Sequence, residues 1–143
     1  MAQFEDSFVL QVPSATENLA MIRAFVERVG EKAGMDEQEI ARITLAVDEA
    51  CANVIEHAYG QGKKGEVTIT AVFDDETLDF TIGDSGKGFD PGTVHQSEVD
   101  ELIRARKSGG LGLRLIRTIM DDVQYRITPG HKNELRMTKK LKK

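Results

Sequence analysis

The amino-acid sequence predicts an α+β fold in two layers, with helices on one face of a mixed, mostly antiparallel sheet. The first observation is the order of its patterns, β, α, α, β, β, loop, α, β, β, which separates helices from hairpins instead of alternating them. The second is length, because 143 residues are enough for one ordinary domain and too few for two. We therefore expect a single domain over residues 1–143.

A short strand and a helix are predicted near the N-terminus. Residues 8–12 alternate weakly between apolar and polar, and Pro13 stops the run. Ser14 and Glu17 have the spacing of a capping box, and apolar residues then recur at helical spacing until Gly30. We expect Gly30 to close this first helix.

A longer second helix is predicted from a cap at Asp36 and Glu39 to about Tyr59. Its apolar residues form one stripe: Ile40, Ile43, Val47, Cys51 and Val54. Cys51 is the only cysteine, so it has no intrachain disulfide partner. We expect it to pack in the core as a small hydrophobic side chain.

A β-hairpin and a glycine-rich segment follow the second helix. Residues 67–73 and 78–82 both alternate between apolar and polar, which predicts two antiparallel strands. Residues 83–112 contain seven glycines and one proline, with a short, mostly polar helix expected at 98–106. Such a segment is either an ordered functional loop or a mobile lid.

The C-terminal part is predicted to contain a partly buried helix at 111–120 and a strand pair at 123–128 and 135–141. Pro129 and Gly130 lie between these two strands. The chain ends in a basic run that we interpret as solvated: Lys139, Lys140, Lys142 and Lys143.

Composition and charge exclude several classes of function. The formal charge of −5 argues against the broad basic surface that non-specific nucleic-acid binding needs. No apolar run approaches the roughly 18 residues needed to cross a bilayer. The N-terminus has no basic region followed by an apolar one. We therefore expect no direct nucleic-acid partner, no membrane and a cytoplasmic location.

Polar side chains share one face of the second predicted helix. Glu49 and Asn53 are four residues apart, and Glu56 and His57 extend their face by another turn. Their oxygens suit a hard divalent cation. A charged, solvent-facing side is the alternative interpretation. We expect His57 to be structural or to support neighbouring site residues without binding the ligand itself.

An acidic residue and two glycines follow the second strand of the hairpin. Asp84 comes at the strand end, and Gly86 and Gly88 come directly after it. Such glycines let the backbone approach a flat ligand closely, while the carboxylate accepts a hydrogen bond from it. A plain turn between strands is the alternative.

A second glycine-rich run leads into the third predicted helix. It consists of Gly109, Gly110, Leu111, Gly112 and Leu113. The N–H groups and the positive dipole end of such a helix start suit an anion such as phosphate. The spacing is not that of the Walker phosphate loop, and a flexible helix entry is the alternative.

A cation face, an acidic glycine turn and a phosphate-type glycine loop are together the parts of one nucleotide site. In this order they resemble the N, G1 and G2 boxes of the GHKL ATPases, which have the Bergerat fold and include sensor histidine kinases and gyrase B. The runs Asp48 to Tyr59 and Gly109 to Leu113, with Met120-Asp121-Asp122-Val123 after them, are similar to the anti-sigma-factor serine kinases.

The resemblance implies ATP and Mg²⁺ as cofactors and gives residues of this chain their roles. Asn53 would coordinate Mg²⁺, and Glu49 would act as general base or orient the attacking hydroxyl. Asp84 would bond the exocyclic amine of adenine, in a pocket shaped by Gly86 and Gly88.

The third segment and the residues before it would surround the phosphates. The resemblance implies that Gly109 to Leu113 bind the nucleotide, with Gly110 and Gly112 contacting phosphates through backbone N–H groups. It also implies a lid at about 96–108.

The resemblance further implies a serine kinase that phosphorylates a STAS-type anti-sigma-factor antagonist, acts as an anti-sigma factor on a sigma factor, and forms a homodimer. Two other functions stay open: a nucleotide-gated protein-binding module without phosphoryl transfer, and an orphan GHKL ATPase. Loss of transfer in Glu49→Ala would separate the kinase from the binding module.

Overall fold

Residues 6–58, 65–84, 111–126 and 134–141 are described by the structure, a computed structural model of the chain. This part contains five strands and three α-helices. In chain order they are β1 (Asp6–Pro13), α1 (Leu19–Lys32), α2 (Glu37–Ala58), β2 (Glu66–Phe73), β3 (Thr77–Asp84), α3 (Leu111–Ile119), β4 (Asp122–Arg126) and β5 (Glu134–Lys140).

The strands form one sheet in the order β1-β2-β3-β5-β4. Every pairing among the described strands is antiparallel, which confirms the mostly antiparallel sheet expected from the sequence. The helices pack on this sheet, α1 against β1 and α2 against β2 and β3, so the α+β class is confirmed.

Alternation along the strands directs one set of side chains to the helices. Ile69 of β2, Ile82 of β3 and Leu135 of β5 form one buried row across the sheet. The next row of this kind contains Phe80 and Met137, which are fully buried. These rows and the apolar stripe of α2 make the core, because period-two and period-3.6 patterns meet face to face.

The opposite face of the sheet is mostly polar. Asp79 on β3 pairs with Arg136 on β5, with 3.1 Å between Oδ2 and Nη2, and it also accepts a hydrogen bond from the Thr138 hydroxyl. One solvated, polar face is common in antiparallel sheets, which need a core on only one side.

The start of α1 differs from the prediction. Ser14 does not cap the helix, since its buried hydroxyl oxygen has no hydrogen-bond partner in the described part of the chain. A single 3-10 turn, Thr16–Asn18, precedes α1 instead. The Asn18 side chain donates to the Pro13 carbonyl oxygen at 2.7 Å, so the entry is held by a contact back to β1. The predicted capping box was therefore wrong.

The predicted end of α1 was also wrong. Gly30 lies inside the helix, which continues to Lys32, and Gly34 takes the left-handed conformation with φ of 81°. The Met35 N–H donates to the Gly30 carbonyl and the Gly34 N–H to the Glu31 carbonyl, which is a Schellman motif. Gly30 is glycine for a different reason: a Cβ there would lie 2.8 Å from Cγ1 of Ile40.

The predicted cap of α2 is confirmed, and the structure adds a side-chain contact in the turn of the predicted hairpin. The Asp36 carboxylate accepts the Glu39 N–H at 2.8 Å and so caps α2. At the β2–β3 turn the Asp74 carboxylate accepts the N–H groups of Glu76 and Thr77, at 2.7 and 2.9 Å. This turn explains the register of the hairpin, because the side chain of Asp74 closes it.

The expected strand pair after α3 is present as β4 and β5. The expected short helix at 98–106 lies outside the described residues, as does the turn at Pro129 and Gly130. No helix in the described ranges is both long and apolar enough to cross a bilayer.

Candidate functional site

Glu49 and Asn53 lie at the border between the buried and the outer side of α2. Their neighbours Ala50, Cys51 and Val54 belong to the core, whereas Glu49 and Asn53 are half-buried. Neither side chain makes a hydrogen bond or ion pair with another residue of the described ranges. Oxygens that are partly removed from water and have no protein partner are available to a ligand.

Asp84 is the last residue of β3, where its Cα is paired with that of Val67 on β2. Gly83 before it is buried. The backbone therefore places Asp84 at the end of a central strand, as the sequence predicted. Gly86 and Gly88 lie outside the described residues, so their part in the site stays a prediction.

Leu111, Gly112 and Leu113 form the first turn of α3. Backbone N–H groups in a first turn have no acceptor within the helix, and the helix dipole is positive at this end. This start suits an anion. Gly109 and Gly110 precede it and, like the predicted lid at 96–108, lie outside the described residues.

Packing brings together the elements that carry the three predicted segments. α2 contacts both α3 and β3. Ile116 of α3 is buried with Ala50 and Val54 of α2 in the same core. The helix with Glu49 and Asn53, the strand that ends at Asp84 and the helix that begins at Leu111 are thus neighbours in one fold.

A lysine contacts the end of α3, and the sequence interpretation of this lysine as solvated was wrong. Lys139 is not solvated: its side chain is only 14% exposed, and Nζ donates to the Ile119 carbonyl at 2.9 Å. Nζ also lies 3.8 Å from the Glu39 carboxylate, beyond hydrogen-bond distance but within reach of charge attraction. Lys140 is exposed, as expected.

A signal for Lys139 was present in the alternation of β5. Leu135 and Met137 are buried, and Lys139 is the next residue of the same series. The long aliphatic stem can follow the apolar face while the ammonium reaches a carbonyl at its edge. The basic composition of the chain end hid this pattern.

The donor set fits a divalent cation only together with a ligand. The described residues contain no group of three or more His, Cys, Asp and Glu side chains close enough to hold a metal ion. Asn53 and Glu49 offer hard oxygen donors, and Mg²⁺ takes one or two protein oxygens with substrate phosphates and waters completing its coordination. The residues therefore fit Mg²⁺ that arrives with a nucleotide.

Cys51, next to this face, is confirmed as a core residue and is fully buried. Burial raises the pKa of its thiol well above the usual range, and the nearby Asp48 carboxylate adds to the rise. A thiol that stays protonated is a poor nucleophile, so Cys51 is not a catalytic candidate.

The family model that matches this chain describes a histidine kinase-like ATPase domain, and it matches residues 12–139. That range runs from the end of β1 to β5 and includes all three predicted segments. The chain belongs to the histidine kinase-like ATPase family.

Curated relatives narrow the comparison within that family. Serine-protein kinase RsbW of Listeria monocytogenes serotype 4a (strain HCC23) is 34% identical over 128 residues, covering 87% of this chain and 82% of the relative. Serine-protein kinase RsbW of Bacillus subtilis (strain 168) is 36% identical over 128 residues, covering 83% and 77%. The resemblance to anti-sigma-factor serine kinases is thereby confirmed.

A solved structure shares the fold. It contains the RsbU and RsbW domains of a Mycobacterium tuberculosis protein, is 16% identical and gives a TM-score of 0.66. The match covers 94% of this chain and 32% of that one, so the present chain spans about a third of its length. At this identity the likeness supports the architecture alone.

Proposed function

We propose that this chain transfers the γ-phosphoryl group of ATP to a serine of a STAS-type anti-sigma-factor antagonist, and that it otherwise binds a sigma factor. An ATP-dependent serine kinase of the anti-sigma-factor type is what its family and its RsbW relatives define. The observation that carries the proposal is the half-buried pair Glu49 and Asn53, which have no side-chain partner among the described residues and lie on the helix that packs against α3.

Asn53 is proposed to hold Mg²⁺ through its carboxamide oxygen, together with phosphate oxygens of the nucleotide. The bound ion would neutralise charge on the phosphates during transfer. The carboxamide suits this role because it offers a hard oxygen without adding a negative charge beside the phosphates.

Glu49 is proposed to position and deprotonate the acceptor serine. The serine oxygen forms a bond to the γ-phosphorus, the bond from that phosphorus to the bridging oxygen breaks, and ADP leaves with the electron pair. The hydroxyl proton passes to the Glu49 carboxylate, directly or through a water. Its half-buried position keeps the carboxylate accessible to a docked protein substrate.

The other site residues belong to the proposal in their predicted roles. Asp84 would accept a hydrogen bond from the adenine amine, in a pocket shaped by Gly86 and Gly88. The run Gly109 to Leu113 would bind phosphates at the start of α3, under a lid at 96–108. The position of Asp84 at the end of β3 and of Leu111 at the helix start supports these roles.

The whole chain is proposed to act as one domain, residues 1–143, and as a homodimer in the cytoplasm. The family match over residues 12–139 supports one domain. The core that the three described α-helices share with the sheet supports it as well.

The test is transfer of radiolabel from γ-labelled ATP, with Mg²⁺, to STAS-domain proteins of the same organism. We expect acid-stable label on one STAS protein, and a loss of about 10²–10⁴-fold in Glu49→Ala, because general-base groups contribute rate factors of this size. Nucleotide affinity of Glu49→Ala should stay within about threefold of the wild type, because Glu49 acts on the acceptor.

Glu76→Ala is the matched control, since Glu76 is an exposed glutamate at the β2–β3 turn. It should transfer label at the wild-type rate. Full transfer by Glu49→Ala would contradict the proposed role of this residue. ATP binding without any transfer to STAS proteins would favour the nucleotide-gated binding module.

A further inference from the structure

A groove of about 900 Å³ lies between α1 and α2 on their side away from the sheet. Its apolar lining comes from Met35, Ile40, Ala41 and Leu45. Leu45, on α2, is 48% exposed. Large apolar side chains left open to water beside a groove are typical of contact surfaces.

The rim of this groove is acidic. One basic side chain lines it, Arg23, and this residue already pairs with Asp48 at 2.9 Å. Five acidic side chains line it: Glu27, Glu31, Asp36, Glu37 and Asp48. Within the described ranges, Glu27 and Glu37 form no ion pair, and the Glu31–Arg28 pair is long, at 3.7 Å. The groove therefore has a clear excess of negative charge.

Thr44 adds a second, independent feature. It lines the groove, is 8% exposed, and its hydroxyl oxygen has no hydrogen-bond partner among the described residues. An unsatisfied buried hydroxyl is unfavourable, and a threonine in a helix has two accessible χ1 positions. A polar group of a bound partner would satisfy this hydroxyl after one such rotation.

The groove borders the candidate nucleotide site on α2, because Leu45 of its lining lies one helical turn before Glu49 on the same side of the helix. Consecutive helical residues are about 100° apart, which places Thr44 and Asp48 on the α1 side and Glu49 and Asn53 further round the helix. The Arg23–Asp48 pair confirms which flank faces α1. Glu49 and Asn53 themselves do not line the groove.

We propose that the α1–α2 groove docks a basic amphipathic helix of a partner protein. Its apolar side chains would contact Leu45 and Met35, and its Lys or Arg side chains would face Glu27 and Glu37. Helices in grooves use this combination of apolar anchors and complementary charge. The groove, and not the nucleotide site, carries this inference, which goes beyond the proposed kinase activity.

The charge argues for a foreign partner over the other occupants. A symmetric contact between two copies would bring one acidic rim against another, which is unfavourable. A nucleic acid or an anionic lipid surface would be repelled in the same way. A basic segment is the occupant whose charge complements the rim.

The test uses a fluorescent leucine–lysine amphipathic peptide of about 18 residues, or five helical turns. The matching leucine–glutamate peptide is the charge control. Anisotropy should report binding of the first peptide only, weakened by raising the ionic strength from about 0.15 M to about 0.5 M. Glu27→Lys with Glu31→Lys should lower the affinity about tenfold or more.

Asp75→Lys with Glu76→Lys makes the same charge change at the exposed β2–β3 turn and should alter affinity less than about twofold. Leu45→Ser tests the apolar contact without changing charge and should weaken binding about fivefold. Glu49→Ala should bind the peptide as the wild type does, which separates this result from the kinase proposal.

The proposal would be overturned if both pairs of charge reversals weakened peptide binding equally, because the peptide would then be attracted by the overall negative charge and not by the groove. No binding of the leucine–lysine peptide would overturn it too. A fall in the sedimentation mass of Glu27→Lys with Glu31→Lys would assign the groove to a contact between copies and also overturn it.

Discussion

At the scale of single residues, Lys139 and Cys51 both pack against the apolar core, but their polar atoms are accommodated in different ways. The Lys139 ammonium leaves the apolar face of β5 to reach the Ile119 carbonyl at the end of α3. The Cys51 thiol is fully buried among apolar neighbours and remains protonated. Burial is tolerated in each case because the polar atom is either satisfied or neutral.

Lys139→Met should destabilise the fold by about 1–3 kcal/mol, the cost of leaving the part-buried Ile119 carbonyl without its donor. Lys140→Met should change stability by less than about 0.5 kcal/mol, because Lys140 is exposed. Urea unfolding followed by circular dichroism measures both. Equal midpoints for the two variants would show that the Lys139 contact contributes nothing.

The raised pKa of Cys51 predicts a pH effect on stability. The usual value is 9.0, so above this pH the unfolded chain releases the thiol proton while the folded chain keeps it. The free energy of unfolding is therefore unaffected by titration of this thiol below about pH 9. Above that pH it falls by up to about 1.4 kcal/mol per pH unit. Unfolding free energies of the wild type and Cys51→Ala should diverge in slope only above that pH. Parallel slopes would contradict the shift.

At the scale of secondary-structure elements, the contact between α1 and α2 depends on Gly30. Its missing side chain lets Ile40 approach the backbone of α1. Sequence patterns predicted both helices correctly, since apolar spacing follows directly from burial. They gave Gly30 and Ser14 the wrong roles, because both depend on what another element brings into contact and not on their neighbours in sequence.

Gly30→Ala should destabilise the protein by about 1–2 kcal/mol. The added Cβ meets Cγ1 of Ile40 at 2.8 Å, and the cost of overpacking exceeds the roughly 1 kcal/mol that alanine gains in a helix. Combining it with Ile40→Ala should relieve the clash, so the two changes should be non-additive in thermal unfolding. Strict additivity would contradict the close contact.

Gly34→Ala is the comparison at the end of the same helix. Nothing lies within 4 Å of a Cβ there, so its cost comes only from the left-handed backbone. It should not couple to Ile40→Ala.

At the scale of the whole molecule, the order of strands predicts a gradient of protection. β2, β3 and β5 have a partner on both sides, whereas β1 and β4 are edges of the described sheet. Amide hydrogen exchange should be slowest in β3, where Phe80 and Ile82 are fully buried, and fastest in β1 and β4. Uniform protection across all five strands would contradict this gradient.

The sequence predicted the fold of the whole molecule better than it predicted the surface between helices. The α+β order, the hairpin and the helix face with Glu49 and Asn53 follow from periodicity and spacing within single elements. The acidic groove does not, because Glu27 on α1 and Glu37 on α2 become one rim only when the two helices pack. Features built from distant segments need the tertiary structure to appear.

The contact between Lys139 and the end of α3 also limits how far this helix can rotate before its first turn is displaced. α3 has nine residues, so it is about 13 Å long, and its start lies that far from the point held by Lys139. A rotation of about 5° about the held end would move the start by about 1 Å, and displacements of this size can cost a hundredfold in rate. By fixing the C-terminal end of this short helix, Lys139 would limit the displacement of its first turn, the proposed phosphate-binding turn.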